Sequence, residues 1–442
     1  MRFFFRIFGS RSGTIQQPDI VFGRYSDSYK ESHKYDSWDQ AIQKYEEKSY
    51  LDSFRFFFKY LRDDEENNVS MEEKGGEIHF EILQGSKKIV GKANDQKVKA
   101  ESKIAKTSEL NIGFMRRLIE NNYSLKYGRY CLDPDDDISI VFDTLTIDGS
   151  PYKLYYALKE ISLAADKQDD LLVGEFNALT PVNTGHTIPL SEHEKSIKVN
   201  YLRTSIESTI EEVEKGSLNA DQYPGGITYL LLETVYRLDF LVRPEGYTME
   251  AFERMHRNYF AVDNKTTKQK NQQLLKELKK LIDRTDDQLR EELYRTVSTF
   301  GITNPSNHER LKSFIEGEIK NVDWYIENKY EKVALGIPGY IAGYTLFYFS
   351  VPEPDKDLIL LYFQIMEDDY FRALGFALPQ YRRDGQLQKG AIRAAVQDIV
   401  QSHRRKYPTL DPKLRQLNYD GLAEFAKSYM MMVAELDLST ST

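Results

Sequence analysis

The sequence predicts an α+β fold, in which an antiparallel-sheet domain of order α-β-β-β-α-β-β-α precedes a larger all-α domain. Three observations carry this prediction. Short runs between residues 77 and 145 alternate apolar and polar residues, as half-buried strands do. Amphipathic helical periodicity brackets these runs on both sides. From residue 196 onward, apolar residues recur at helical spacings without a strand-like run.

The first helix is predicted from Ser37 to Leu61. Ser37 and Gln40 fit the S-x-x-Q capping box, in which each side chain satisfies an amide of the first turn. An acidic run at 63–68 ends this helix as a solvated loop. Its apolar stripe comprises Trp38, Ile42, Tyr45, Tyr50, Phe54, Phe57, Phe58 and Leu61.

Two groups of strands follow the first helix. A three-strand meander is predicted at 77–83, 88–93 and 97–106, where apolar and charged residues take opposite faces. This pattern favours an antiparallel sheet with one solvated face. A hairpin around an acidic turn is predicted within 125–145, and helices at 110–121 and 151–176 flank it. The last helix directs these residues inward: Leu154, Leu158, Ile161, Ala165 and Leu172.

Pro181, Gly185 and Pro189 interrupt any periodicity after this helix, which predicts a linker. We therefore divide the chain into an entry segment without clear periodicity (1–36), an α+β domain (37–178), a linker (179–195) and an all-helical domain (196–442). Helices of the last domain are predicted at 197–215, 226–242, 249–260, 268–283, 286–300, 308–335, 357–374, 386–406 and 419–438.

Local signals mark some boundaries of these helices. Thr285 and Gln288 form a second capping box, and residues 244–246 and 336–338 are predicted helix breakers. The apolar run 337–351 is about 15 residues long, shorter than the roughly 20 that cross a bilayer. It therefore predicts a buried helix.

Composition limits the function. The chain has 442 residues and a net charge of −9, which argues against nucleic acid as a partner because phosphate binding needs clustered Lys and Arg. Cys131 is the single cysteine, so no internal disulfide can form and a reducing, cytoplasmic location is predicted. Membrane contact is predicted only through residues 1–8, where Phe3, Phe4 and Phe5 either pack on the protein or enter an interface.

No catalytic residue, metal ligand set or cofactor is predicted. Asp133–Asp137 imitates the start of a calcium loop, but Ile138 and Thr144 stand where such a loop needs glycine and glutamate. We interpret it as a polar turn. An enzyme site assembled in a helical cleft from distant residues remains an alternative, near Tyr340, Tyr344, Glu367 and Arg382.

Two basic pairs flank the predicted helix 386–406. Arg382 and Arg383 precede it, and Arg404 and Arg405 end it. They predict either a patch for an anion or acidic partner, or ordinary charge at helix ends.

The α+β domain resembles the type III secretion chaperone-like fold, which bacterial proteins outside secretion systems share. The resemblance covers residues 38–176 and is carried by the order of elements and by four runs: 114–123 (FMRRLIENNY), 127–132 (YGRYCL), 150–154 (SPYKL) and 164–166 (AAD). It does not extend to the helical domain.

This resemblance implies a non-enzymatic module that binds an extended or amphipathic segment of a protein partner on apolar surface. It leaves open whether the chain forms a homodimer. The implied contact residues are Phe80, Ile112, Met115, Ile119, Tyr127 and Tyr130. The leading hypothesis is thus a cytoplasmic chaperone-like or scaffold protein. The alternatives are the enzyme described above and a membrane-surface protein tethered by its Phe-rich N-terminus.

Overall fold

The computed structural model describes residues 17–107, 109, 111–176, 178–182 and 185–439. It confirms the α+β class: an antiparallel sheet and its helices are followed by a larger helical part. The Phe-rich residues 1–8 lie outside the described residues.

Two helices replace the single helix predicted from Ser37 to Leu61. The first, α1 (Ser32–Glu46), and the second, α2 (Tyr50–Leu61), pack against each other. Lys48 between them adopts a left-handed conformation with φ 59°, which reverses the chain. The predicted capping box at Ser37 is wrong, because Ser37 is buried inside α1 and its hydroxyl donates to the His33 carbonyl.

The sheet contains two strands more than the five predicted, one at its edge and one from the predicted linker. Its order is β1-β2-β3-β4-β6-β5, and all neighbours are antiparallel. The additional edge strand β1 has only Val69 buried, so it shows no alternation that the sequence could reveal. The strands are β1 (Val69–Lys74), β2 (Glu77–Gln84), β3 (Lys87–Ala93), β4 (Lys97–Thr107), β5 (Arg129–Leu132) and β6 (Ile138–Leu145).

Two helices cover this sheet close to their predicted positions. In α3 (Ile112–Asn122), the Asn111 side chain caps the first turn. In α4 (Pro151–Glu175), Ser150 is the cap and Pro151 occupies the first turn. The inward residues predicted for α4 are all buried and pack on β4 and β6. The predicted linker also begins with a strand, β7 (Leu179–Pro181), which pairs with the end of β4.

The second part is helical, with three short strand pairs that the sequence did not predict: β8 (Ile188–Pro189) with β9 (Tyr294–Arg295), β10 (Asn304–Pro305) with β11 (Phe349–Ser350), and β12 (Arg382–Arg383) with β13 (Gln386–Leu387). Its helices are α5 (Glu192–Lys215), α6 (Pro224–Val242), α7 (Gly246–Phe260), α8 (Thr267–Ile282), α9 (Asp286–Glu291), α10 (His308–Ile319), α11 (Val322–Glu327), α12 (Glu331–Tyr348), α13 (Glu353–Met366), α14 (Asp368–Ala373), α15 (Lys389–His403) and α16 (Leu422–Ala434).

Several predicted helix boundaries are corrected. The helix predicted at 286–300 ends at Glu291, the one at 308–335 is divided among three helices, and the one at 357–374 is divided between two. The capping box of Thr285 and Gln288 is confirmed, as is the break before α7. The predicted break at 336–338 is wrong, because these residues lie inside α12.

The apolar run at 337–351 begins inside the buried helix α12, as predicted, and α12 packs closely on α6. Gly339 and Gly343 permit this approach: a Cβ at Gly339 would lie 2.7 Å from Glu233 Cγ, and one at Gly343 would lie 2.8 Å from Tyr236 Cβ. Across the described part of the chain, none of the helices combines the length and the apolar character needed to span a membrane.

The part of the entry segment that the structure describes, from residue 17 onward, packs on the helical part. Ile20 belongs to the helical core, and the Phe22 ring packs among those of Phe240, Phe371 and Phe376. Gly23 donates to the Phe240 carbonyl at φ 73°, where any Cβ would lie 2.3 Å from the Phe240 ring. The sequence concealed these contacts because they are made by single residues without a period.

A buried ion cluster holds the same segment. The Arg24 guanidinium binds both carboxylate oxygens of Asp239 on α6, and it donates to Glu253 on α7 at 2.6 Å. The Arg24 side chain is 9% exposed and that of Asp239 is 3%. Burial by itself would lower the pKa of Arg24, but the two carboxylates outweigh burial and raise it.

A second segment makes the reverse contact, from the helical part to the α+β part. The stretch 296–303, between β9 and β10, reaches the sheet of the α+β part, and Phe300 is buried in that hydrophobic core. The Gln84 carboxamide accepts from the amides of Thr299 and Phe300, and Asn68 donates to the Thr299 hydroxyl at 3.0 Å. The helical core therefore contains a residue from the segment before the sheet, and the core of the sheet contains a residue from the helical part.

We expect Arg24→Ala to lower the free energy of unfolding by about 3–5 kcal/mol, because it leaves Asp239 buried without its partner. Urea unfolding of the full chain measures this change. The control is Arg116→Ala, which removes an exposed pair with Glu120 and should cost less than about 1 kcal/mol. Equal effects of the two substitutions would contradict a structural role for the cluster.

Candidate functional site

The outer face of α3 is an exposed apolar stripe. Ile112 is 87% exposed, Ile119 is 69% exposed and Met115 is half-buried between them. They follow i, i+3, i+7 spacing, which places them on one side of the helix. A shallow groove of about 540 Å³ runs along this side. It is lined by Asn111, Ile112, Met115, Arg116, Ile119 and Glu120.

The opposite face of α3 fixes the helix on the domain. Phe114 and Leu118 are buried in the core of the α+β part. At the end of the helix, the Asn122 carboxamide accepts from the Tyr130 amide at 2.6 Å and donates to the Tyr130 carbonyl at 3.2 Å. Asn121 donates to Gln168 on α4 at 3.2 Å. The stripe is therefore presented by an anchored helix.

The surface around the stripe is charged and aromatic. Arg116 and Arg117 are exposed, and Arg116 forms an ion pair with Glu120 at 3.0 Å. Tyr123, directly after the helix, is 96% exposed. Tyr127 is partly exposed, and its amide donates to Glu160 on α4 at 2.8 Å.

The structure brings three of the six predicted contact residues together, namely Ile112, Met115 and Ile119. The prediction that Phe80 and Tyr130 contact a partner is corrected, because both side chains are buried in the core. The Phe80 ring lies 4.4 Å from that of Phe58, between centroids, and burial raises the pKa of Tyr130. Their alternation in the strands marks the inner face of the sheet, which the sequence could not distinguish from a partner-binding face.

The predicted basic patch is divided between the two ends of α15. Arg382 and Arg383 precede this helix and Arg404 and Arg405 follow it, and its 15 residues are about 21 Å long. Arg382 donates to the Met366 carbonyl at 3.0 Å. The four guanidinium groups therefore do not form a single anion site.

The acidic turn after β5 encloses a lysine. Lys103 Nζ lies 2.7 Å from Asp133 and 3.5 Å from Asp137, while the Asp133 carboxylate accepts from the amides of Asp135 and Asp137. The turn is thus closed by an ammonium group from β4. Within the described ranges, no group of three or more His, Cys, Asp or Glu could hold a metal ion.

The four residues named for an enzyme cleft have different neighbours. Tyr340 and Tyr344 belong to an aromatic cluster around α6 and α10, whereas Glu367 lies 3.6 Å from Arg237. The Arg382 guanidinium donates a hydrogen bond to a backbone carbonyl at the end of α13. The contacts give no support to one catalytic cleft made by these residues.

A cavity that the sequence did not suggest lies where the entry segment meets α6, α13 and the segment after β9. Its volume is about 230 Å³, and Arg243, Arg295 and Lys356 contribute cationic groups to its wall. Only their joint position in the fold identifies these three residues, since they are far apart in the sequence.

Comparison with known proteins assigns no family. No protein-family model matches the chain, and no curated protein matches it in sequence.

His256 on α7 lies inside the aromatic cluster. Its Nδ1 is 2.8 Å from the Tyr236 hydroxyl, and the rings of Phe260 and Phe347 are each 5.0 Å away, between centroids. Burial, together with the charges of Arg24 and Arg257 and against the opposing effect of Glu253, lowers the pKa of His256 to about 4.

We expect His256 to make stability depend on pH. The unfolded chain binds the imidazole proton below about 6.5, whereas the folded chain binds it only near 4, so the free energy of unfolding falls as the pH drops through this window. His256→Phe keeps a ring and should reduce this fall. Urea unfolding at several pH values measures it, and identical slopes for the two proteins would exclude the effect.

Proposed function

We propose that the chain is a non-catalytic binding protein that holds an amphipathic helix of a protein partner along the outer face of α3. The observation that carries the proposal is the stripe of Ile112, Met115 and Ile119 on a helix whose other face is anchored in a core. Exposed apolar side chains at helical spacing are the surface that helix-in-groove recognition uses.

The size of the surface bounds the partner. Ile112 and Ile119 are two turns apart, about 10 Å along the axis, so the partner helix covers at least that length. Burying each isoleucine contributes about 1.5–3 kcal/mol before the cost of association. A specific interface buries more than about 1,000 Å², so the contact has to extend from the stripe to Tyr123 and Tyr127.

Charge favours a partner helix with acidic flanks. Arg116 and Arg117 border the stripe and are exposed. Complementary charges at the rim of an interface raise the association rate and fix the orientation. The free thiol of Cys131 agrees with binding in the cytoplasm.

The test places a photo-crosslinking amino acid at position 119 of the full chain, in cells of its natural host. We expect it to capture one protein through a helical segment. The same residue at position 147 is the control, because Ile147 is similarly exposed, at 65%, but lies outside the stripe. Equal capture at both positions contradicts the proposal, and so does capture of a second copy of this chain alone.

Substitution then measures the contribution of the stripe. Ile112→Glu should weaken binding of the captured segment more than tenfold, because it replaces about 1.5–3 kcal/mol of apolar burial by a charge. Fluorescence anisotropy with the full chain gives the affinity. Ile147→Glu should leave it unchanged, and both variants should keep the stability of the parent within about 0.5 kcal/mol. Unchanged affinity of Ile112→Glu would remove the stripe from the interface.

A further inference from the structure

The cavity lies where the entry segment meets the stretch 296–303, and it has an apolar and a cationic side. Phe22 and Val21 of the entry segment, Phe240 of α6 and Leu360 of α13 form the apolar side. Arg243 follows α6, Arg295 belongs to β9 and Lys356 belongs to α13. Four separate parts of the chain thus direct both kinds of group into one space.

Most of the charges on the wall are neutralised by neighbours. Arg24 binds Asp239, and Arg295 lies 2.9 Å from Asp19. Glu66 is the other acidic residue of the lining. Arg243 and Lys356 are the other cations of the lining.

Arg243 is the group that points to a ligand. Among the described residues, its side chain has neither an ion pair nor a hydrogen bond within the usual distances; the carboxylates of Glu245 and Glu66 act on its charge only from beyond those distances. Burial lowers the pKa of Arg243, which reflects the loss of water around its charge. Its backbone is left-handed, with φ 50°, at the end of α6, where glycine would fit without strain.

The volume sets the size of the ligand. A cavity of about 150 Å³ lined by apolar side chains accommodates a benzene molecule. The 230 Å³ available here therefore admits one ring, or a branched chain of similar size, together with a short acidic group. Pockets that combine an apolar wall with one or two placed charges are the usual sites for small molecules.

We propose that this cavity binds a small monocarboxylate with an aromatic or branched apolar body, with the carboxylate on Arg243. The Arg243 guanidinium supplies the paired donors that a carboxylate accepts. Asp19 and Glu66 on the same wall oppose a doubly charged phosphate. This site is separate from the α3 stripe and does not depend on the partner proposed above.

The test uses the full chain and 3-phenylpropionate as the probe, with calorimetric titration and thermal unfolding. We expect saturable binding at millimolar concentration and a rise in Tm. The neutral 3-phenylpropanamide, which has the same shape, should bind at least about tenfold more weakly because it lacks the charge-assisted bond. Equal binding of acid and amide, or no binding of the acid, would overturn the proposal. Inorganic phosphate that competes as well as the acid would also overturn it.

Two variants locate the site. Arg243→Gln should weaken 3-phenylpropionate at least about tenfold, whereas Arg254→Gln, which removes a half-buried arginine elsewhere, should not. Leu360→Trp fills the apolar side and should abolish binding while circular dichroism remains that of the parent. If Arg243→Gln does not fold, Leu360→Trp decides alone. Undiminished binding in a folded Leu360→Trp protein would place the ligand elsewhere. Ile119→Glu should bind the probe normally, which separates this test from that of the α3 stripe.

Discussion

The ion cluster of Arg24, Asp239 and Glu253 is the constraint on which the arrangement of the chain depends. A buried carboxylate is tolerated only with a paired cation, so α6 and α7 require the entry segment to be in place. Arg24 also positions its neighbours. Phe22 completes an aromatic cluster, Gly23 binds the backbone of α6, and the same residues form one wall of the cavity. One electrostatic requirement thereby orders the stretch 17–31, which forms neither a helix nor a strand.

Each of the two hydrophobic clusters includes a residue from the other part of the chain, so the two parts share more than a simple interface. Ile20 completes the helical core, and Phe300 completes the core of the sheet. Polar groups seal the second crossing, because Gln84 and Asn68 satisfy the backbone and hydroxyl of Thr299. A boundary drawn through the chain at one place cannot separate the two cores. Unfolding of either part should therefore disturb the other.

Periodic elements were predictable from the sequence, and elements defined by single contacts were not. Strands β2 to β4 and helices α3 and α4 were located because many residues repeat one pattern over each element. The break at Lys48 depends on one left-handed residue, and β1 buries only Val69. For the sites, the resemblance to the chaperone-like fold implied Ile112, Met115 and Ile119 as contact residues but also Phe80 and Tyr130, because alternation in a strand does not show which apolar face remains exposed. The cavity residues lie far apart in the chain and share no local signal.

The crossing of the entry segment has a consequence for synthesis of the protein. Arg24 and Asp239 are separated by 215 residues, so the arginine leaves the ribosome long before its partner. At about 5–20 residues per second, the delay is on the order of 10–40 s. During this interval the sheet and its helices can form, but the segment before them has no place to bind and presents Phe22 to the cell. Phe22 therefore stays exposed in the nascent chain until α6 supplies Phe240, and its contacts with Phe371 and Phe376 form later still.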